Sequence, residues 1–326
     1  MFHRLSRRAL TLAAGGLALP AIARAQANWP ERPIRWIVPY NPSGTADILA
    51  RLVAEQLGER FGQTIVVENR AGAGGTRGAT FIAQNRGDMH MVTTTNFGSH
   101  GVSPSLLPNV AYDAIEDFVH IGLIGALPQV VAANLDFPAD DMAGFLAVAR
   151  ERGQDLGMGY GSVGAASHLI GLSLHRAAGI TPNFVGFGGS GNLLNAVMGN
   201  TVPTSIDTLS AGIGHIRSGR IKAFAISGPE RSPALPEAPT FAELGLGEAT
   251  AMNWFGVAIP AGTPDWLRDR WAEALREVVA LPAVSERLAA LGAEGTNIDP
   301  AAMTAHVRSE LSRWRQVIEA NNIRPG

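Results

Sequence analysis

Two stretches of this chain gather hydroxyls, amides and imidazoles without a single acid between them. Residues 89–111 hold Thr93, Thr94, Thr95, Asn96, Ser99, His100 and Ser103, and residues 156–206 hold Ser162, Ser167, His168, Ser190 and Thr204. Donors concentrated where carboxylates are missing suit an anionic ligand, because a nearby acid repels it while hydroxyl and N–H groups hold it. A third stretch, 34–47 (IRWIVPYNPSGTAD), reads as a buried strand, a turn-rich loop through Pro42, Ser43 and Gly44, and a helix beginning near Thr45. That order points unpaired backbone N–H groups beyond the loop, a common way to seat an anion. Asp47 falls in the first turn of this helix. An acid there favours the helix dipole, braces the loop, or accepts from a ligand's amino group. Asp207 closes a later strand, and either faces a cleft or ends an ordinary turn.

Other chemistries lack their residues. Gly159, Gly161 and Gly164 match G-x-G-x-x-G between a strand and a helix, but no Asp or Glu occurs from 156 to 206 to bind a ribose. No G-x-S-x-G elbow is present. The chain has no cysteine, which removes thiol nucleophiles, disulfides and cysteine-based zinc sites, and Lys222 is its single lysine. His100 and His168 lack the third histidine or spaced carboxylate of a metal site. They read as neutral donors lining a cleft or as structural imidazoles. No cofactor, metal or catalytic residue is expected. Formal net charge is −2, and beyond the first 25 residues 22 basic side chains face 28 acidic ones, a net of −6. That balance argues against a nucleic-acid partner.

These residues need elements to position them. Apolar and turn patterning predicts strands at 34–38, 64–68 and 89–94, with helices from Thr45 and over 77–85. The β-α-β-α-β order implies a mostly parallel sheet. Residues 104–118 read as a surface connection, 119–127 and 130–134 as two strands parted by Pro128, and 142–152 as a helix stopped by Gly153. The pattern then restarts, with strands at 156–160, 183–187, 202–206 and 223–226 alternating with helices over 167–178, 192–198 and 213–218. A strand at 255–259 and helices over 264–280, 282–291 and 300–321, each opened by a proline, complete the chain. At 326 residues and 46% hydrophobic composition there is material for two lobes. The expected division is 26–124 with 227–326 as lobe 1 and 125–226 as lobe 2, with hinge crossings near 124 and 226.

Residues 1–25 read as an export signal outside the fold. Arg4, Arg7 and Arg8 precede an apolar run over 9–19, too short to span a bilayer, and Ala23-Arg24-Ala25 fits a small-x-small cleavage site. Ser6-Arg7-Arg8-Ala9-Leu10 resembles a twin-arginine signal, with an ordinary Sec leader as the alternative. The mature protein is expected in the periplasm.

Behind the leader come, in order, WPERPIRWIVPYNPSGTADILAR, IVVENRAGAGGTRGA, TTNFGSHGVSPSL, YDAIEDF, LGMGYGSVGAASHL, IRSGRIKAFAIS, RSPALPEAPTFAELGL and WFGVAIPAGTP. The series resembles the extracytoplasmic solute receptors of the tripartite tricarboxylate transport system, the Bordetella uptake gene (Bug) type. The resemblance implies an α/β, two-lobed periplasmic binding protein of type II-like form, each lobe a mixed sheet flanked by helices, with a hinge between them. It implies a non-catalytic, monomeric receptor that closes on a small carboxylate and delivers it to the large and small membrane subunits of a tripartite transporter. The implied ligand-binding residues are Tyr40, Ser43, Gly44, Asp47, Thr94 and His100 from the first lobe. From the second they are Ser162, Ala165, Ser167, His168, Phe187, Gly189, Ser190 and Asp207. The chain departs from the family at Ser43, where a glycine is usual, and at Phe187-Gly188-Gly189, where the family's Tyr-Lys-Gly carries a base. It also lacks an acid early in the strand before Asp207. Two alternatives stand beside this reading: an exported small-ester hydrolase, whose activated nucleophile the sequence does not specify, and a ligand sensor feeding a signalling kinase.

Overall fold

The computed structural model describes residues 29–42 and 44–324. The expected export signal and Ser43 lie outside the described residues. Strand β1 (Ile34–Val38) forms the heart of the first sheet because Ile34, Trp36, Ile37 and Val38 are all fully buried. It pairs in parallel with β2 (Ile65–Asn69) and with β3 (Met91–Asn96). Helices α1 (Thr45–Phe61) and α2 (Thr76–Ala83) make the crossovers. Leu49, Val53 and Leu57 recur at helical spacing along α1 and share one core with Trp36. The helix stops at Gly62, whose φ of 70° is the left-handed conformation that lets its N–H reach the last carbonyls.

After β3 the chain makes a π-helical turn, Phe97–Val102, and the short helix α3 (Ser103–Leu106). Residues 104–118 do not form a purely surface connection. Tyr112 and Ala114 are buried, and the Tyr112 hydroxyl donates to the Ser99 carbonyl.

Strand β4 (Phe118–Ala133) is one sixteen-residue strand where two were expected. Up to Pro128 it runs antiparallel to β9 (Met252–Pro260), and from Gln129 it pairs with β7 (Thr204–Thr208) and β8 (Lys222–Ile226). Pro128 sits where the strand changes partners, so its missing N–H interrupts neither ladder and the strand runs through it. Strand β5 (Gly157–Tyr160) pairs in parallel with β6 (Asn183–Gly186) and with β7. Helices α4 (Met142–Arg152), α5 (Ala166–Ala178), α6 (Ser190–Met198) and α7 (Leu209–Arg217) flank this second sheet. The resulting strand order is β2-β1-β3-β9-β4-β7-β5-β6, with β8 also on β4. Two lobes, each a mixed sheet with helices, are thus joined through β4.

The Pro-rich stretch 231–240 packs Leu235 and Ala238 against Val130, Leu209 and Ile226. Ile226 donates to the Pro239 carbonyl and accepts from Phe241. The chain after β8 thus packs on the second sheet through Phe241. Helices α8 (Asp265–Ala280), α9 (Pro282–Ala290) and α10 (Pro300–Ala320) follow β9. Trp271 of α8 meets Trp36 and Phe61 edge-on at 6.2 and 4.9 Å, which seals the first lobe's core. Trp314 of α10 meets Phe97 at 4.8 Å, and the Glu310 carboxylate accepts from the Trp254 and Trp314 indoles at 2.8 Å. No helix among the described residues is long and apolar enough to cross a membrane.

Candidate functional site

A cavity of about 750 Å³ opens between the lobes, at the carboxyl ends of parallel strands from both sheets. Four helices begin at it: α1 after Gly44, α5 after Ala165, α6 after Gly189 and α7 after Thr208. None of these N-cap residues closes its helix with a side-chain hydrogen bond. The first N–H groups of a helix have no acceptor within it, and their partial positive charge favours an anion in front of them. Among the described residues that line the cavity none carries a formal charge.

The first-lobe loop is braced by charge. The Asp47 carboxylate accepts from Arg51 Nε at 3.0 Å and from Asn69 Nδ2 at 2.9 Å. Asn69 Nδ2 also donates to the Tyr40 carbonyl at 3.0 Å, so the end of β2 fixes the loop that leaves β1. The Tyr40 hydroxyl donates to Asn96 Oδ1 at 2.7 Å, and burial pushes its pKa up to about 12. Asn96 Oδ1 in turn accepts from the Ser99 N–H and hydroxyl, both at 2.9 Å, which caps the turn after β3.

The second-lobe loops are fastened by neutral groups. Ser167 Oγ accepts from the Gly161 N–H at 3.0 Å, and His168 Nδ1 accepts from the Gly164 N–H at 3.2 Å. The Gly161 carbonyl accepts from both Phe187 and Gly189 at 3.1 Å, tying the starts of α5 and α6 to each other. His168 stacks on Tyr160 at 4.4 Å, and burial lowers its pKa to about 4, which keeps Nδ1 free to accept. Asp207 lies below this layer. Burial raises its carboxyl above the usual range, opposed by the Ser190 hydroxyl and the Thr208 N–H, and Oδ2 has no hydrogen-bond partner.

Of the residues expected at a site, Tyr40, Gly44, Ser162, Ala165 and Ser190 line the cavity. Asp47, Ser167, His168, Phe187 and Gly189 stand behind it in the contacts just described, and Asp207 is buried below Ser190. Thr94 and His100 do not line the cavity. Strand β3 runs on through Asn96, so Thr94 is an interior strand residue whose Oγ accepts from the Trp36 indole at 2.9 Å. The turn that follows is helical and carries His100 to the core side. There it is wholly buried against Tyr112, Phe118 and His120, with Nδ1 2.8 Å from the Ser99 hydroxyl. Ser43 is outside the described residues. Among the described residues, no cluster of three His, Asp or Glu side chains is placed to hold a metal.

The cavity also takes residues that sequence reasoning leaves out, among them Gly74, Ser103, Leu106, Leu107, Thr208, Asn253 and Phe255. For Gly74 a signal existed in the glycine-rich run after β2. Gly74 and Gly75 have φ of 64° and 91°, and a Cβ on either would fall 2.7 Å from the Ser103 or Tyr40 oxygen. Leu106 and Leu107 carried no such signal.

A cleft between two α/β lobes, ringed by uncapped helix starts, is the architecture of a periplasmic-type solute-binding protein. Residues 49–323 match the tripartite tricarboxylate transporter family receptor, and the chain belongs to that family. It is 32% identical over 308 residues to protein BugT of Bordetella pertussis, covering 94% of each chain. It is similar to the solved periplasmic binding protein BugD, with 31% identity and a TM-score of 0.77 over 91% of this chain and 99% of that one. MatC from Rhodopseudomonas palustris, solved with bound malate, is 30% identical with a TM-score of 0.77 over 89% and 100%. The family is one of solute receptors, which is not an enzyme class.

Proposed function

We propose that the protein acts in the periplasm, behind a cleaved leader, as a monomeric receptor. It captures a small organic carboxylate by lobe closure and delivers it to the large and small membrane subunits of a tripartite transporter. The observation that carries this reading is the convergence of four helix N-termini on one uncharged cavity. An ionised carboxylate accepts charge-assisted hydrogen bonds from such N–H groups and from the Ser162 hydroxyl. Closure removes it from water, and each of those bonds is stronger in the enclosed site than in water. The malate held by MatC supports a carboxylate as ligand.

Within this reading Tyr40, Gly44, Ser162, Ala165 and Ser190 face the ligand, while Asp47, Ser167 and His168 hold the loops that do. Among the described residues, lobe 1 comprises 29–42, 44–124 and 252–324, and lobe 2 comprises 125–251. The packing of Leu235 and Ala238 on Val130 and Ile226 supports the later return.

The test is a thermal-shift screen against mono-, di- and tricarboxylates, acidic amino acids and aromatic acids. A ligand at 100 times its Kd adds about 2.7 kcal/mol, a rise of roughly 5 °C for a chain of this size. At least one acid raises the midpoint by that much. Silence across the panel contradicts the receptor reading, and turnover of a small-ester panel by the purified protein contradicts its non-catalytic part.

A further inference from the structure

The cleft lining has two unlike parts. One is made by the starts of α1, α5, α6 and α7, with Ser162, Ser190 and Thr208 among them and Tyr40, Asn96, Ser103 and Asn253 as further polar groups. The other is a hydrocarbon wall. Leu106 and Leu107, at the end of α3, belong to the first lobe; Leu107 lies beside Gly74 of the same lobe, and Leu106 reaches Gly164 of the second. A Cβ built on Gly74 of the first lobe would meet Leu107 Cδ1 at 3.7 Å, and one on Gly164 of the second would meet Leu106 Cδ2 at 2.7 Å. Val163, 44% exposed, extends this wall beside Gly164. Buried Phe97 and Phe255 also line the cavity.

The two walls ask for different halves of one ligand. An anionic group is served at the helix starts. A second ionised group, laid against Leu106 and Leu107, would exchange water for methyl groups, and no Lys, Arg or His is among the described lining residues to meet it. The buried carboxyl of Asp207, behind Ser190, adds no compensation for further negative charge. The cavity, at about 750 Å³, has room for a hydrocarbon body beyond the carboxylate.

We infer that the ligand is a monocarboxylate with an apolar body, aliphatic or aromatic. Its carboxylate sits at the helix starts and its hydrocarbon lies against Leu106, Leu107 and Val163. This rests on the carboxylate reading above and narrows it, away from the dicarboxylate that MatC holds.

The test is calorimetric titration of the purified protein with pairs of equal chain length, hexanoate against adipate and octanoate against suberate, with benzoate as the aromatic case. The monocarboxylate of each pair binds at least tenfold more tightly. Leu106→Arg, checked for folding by circular dichroism, weakens hexanoate at least tenfold and admits adipate. If that variant does not fold, Leu106→Gln replaces it and weakens hexanoate alone. A dicarboxylate that matches or exceeds its monocarboxylate in the wild type overturns this inference and leaves the carboxylate receptor standing. Hexanoate binding that is indifferent to the Leu106 change overturns the placement of the hydrocarbon. Failure of every acid in both sets overturns the underlying carboxylate reading instead.

Discussion

Asp47 and Asp207 occupy comparable places in the two lobes. Each is a buried acid beside the start of a helix that opens on the cleft, 3% and 5% exposed. Their surroundings differ. Asp47 is met by the Arg51 guanidinium and the Asn69 amide, so its charge is compensated and works as a brace. Asp207 keeps Oδ2 unpartnered, and burial holds its carboxyl above the ordinary range. In the first lobe the acid beside the anion site is paired with a cation, and in the second burial disfavours its charged form.

Removing the brace gives the largest effect. Asp47→Ala removes the acceptor that Arg51 Nε and Asn69 Nδ2 share and loosens the loop after β1. We expect a loss of about 2 kcal/mol of stability in urea denaturation, together with most of the ligand affinity. An unchanged midpoint would remove Asp47 from the bracing role.

Next comes the contact between lobes. Gly164 has φ of 77°, and a Cβ there would fall 2.7 Å from Leu106 Cδ2, whereas Gly188, with φ of 73°, has nothing within 4 Å of its own. Gly164→Ala and Gly188→Ala therefore share the backbone strain, about 1 kcal/mol each, but the first alone obstructs closure. Ligand affinity falls about tenfold more for Gly164→Ala than for Gly188→Ala, as read by titration. Equal losses would mean that the lobes do not meet at Leu106 when ligand binds.

Asp207→Asn gives a smaller effect of opposite sign. Removing the charge strengthens carboxylate binding several-fold at pH 8. In the wild type, affinity rises as the pH is lowered toward the raised pKa of Asp207, and the variant flattens that slope. The stability linkage has a matching sign. A folded-state pKa raised above the unfolded value of 3.8 means that stability falls as pH rises through the interval between them. Affinity that weakens on acidification in the wild type would contradict this.

The smallest effect at neutral pH belongs to the buried imidazoles. Burial lowers the pKa of His120 from its ordinary 6.5 to about 4. The unfolded chain binds that proton first, so stability present above about pH 6.5 is lost as pH falls toward about 4. His120→Gln leaves the midpoint at pH 7.5 nearly unchanged and reduces the slope of midpoint against pH below 6.5. An unaltered slope would assign acid sensitivity to other groups, such as His168 and His175, which burial also lowers to about 4.

The same contrast explains what the sequence makes legible. Strand–loop–helix grammar, acid-free runs and glycine-rich turns are local features. They locate the starts of α1 and α5, and with them Tyr40, Gly44, Ser162 and Ala165. What depends on a distant partner is not local. Thr94 and His100 belong to the core because β3 pairs with β9 through Asn96. Pro128 lies within a strand because β4 changes partners there. Leu106 and Leu107 become cavity walls only through contacts distant in sequence, Leu106 with Gly164 of the other lobe and Leu107 with Gly74. The polar half of the site is thus written in loop chemistry, and the apolar half in tertiary packing.

The central claim is that uncapped helix starts hold an ionised carboxylate. The most direct measurement is calorimetric titration of one bound acid beside its primary amide, which keeps the skeleton and removes the charge. The account predicts that the amide binds at least a hundredfold more weakly, a difference of about 2.7 kcal/mol. An amide that binds as tightly as the acid would contradict it.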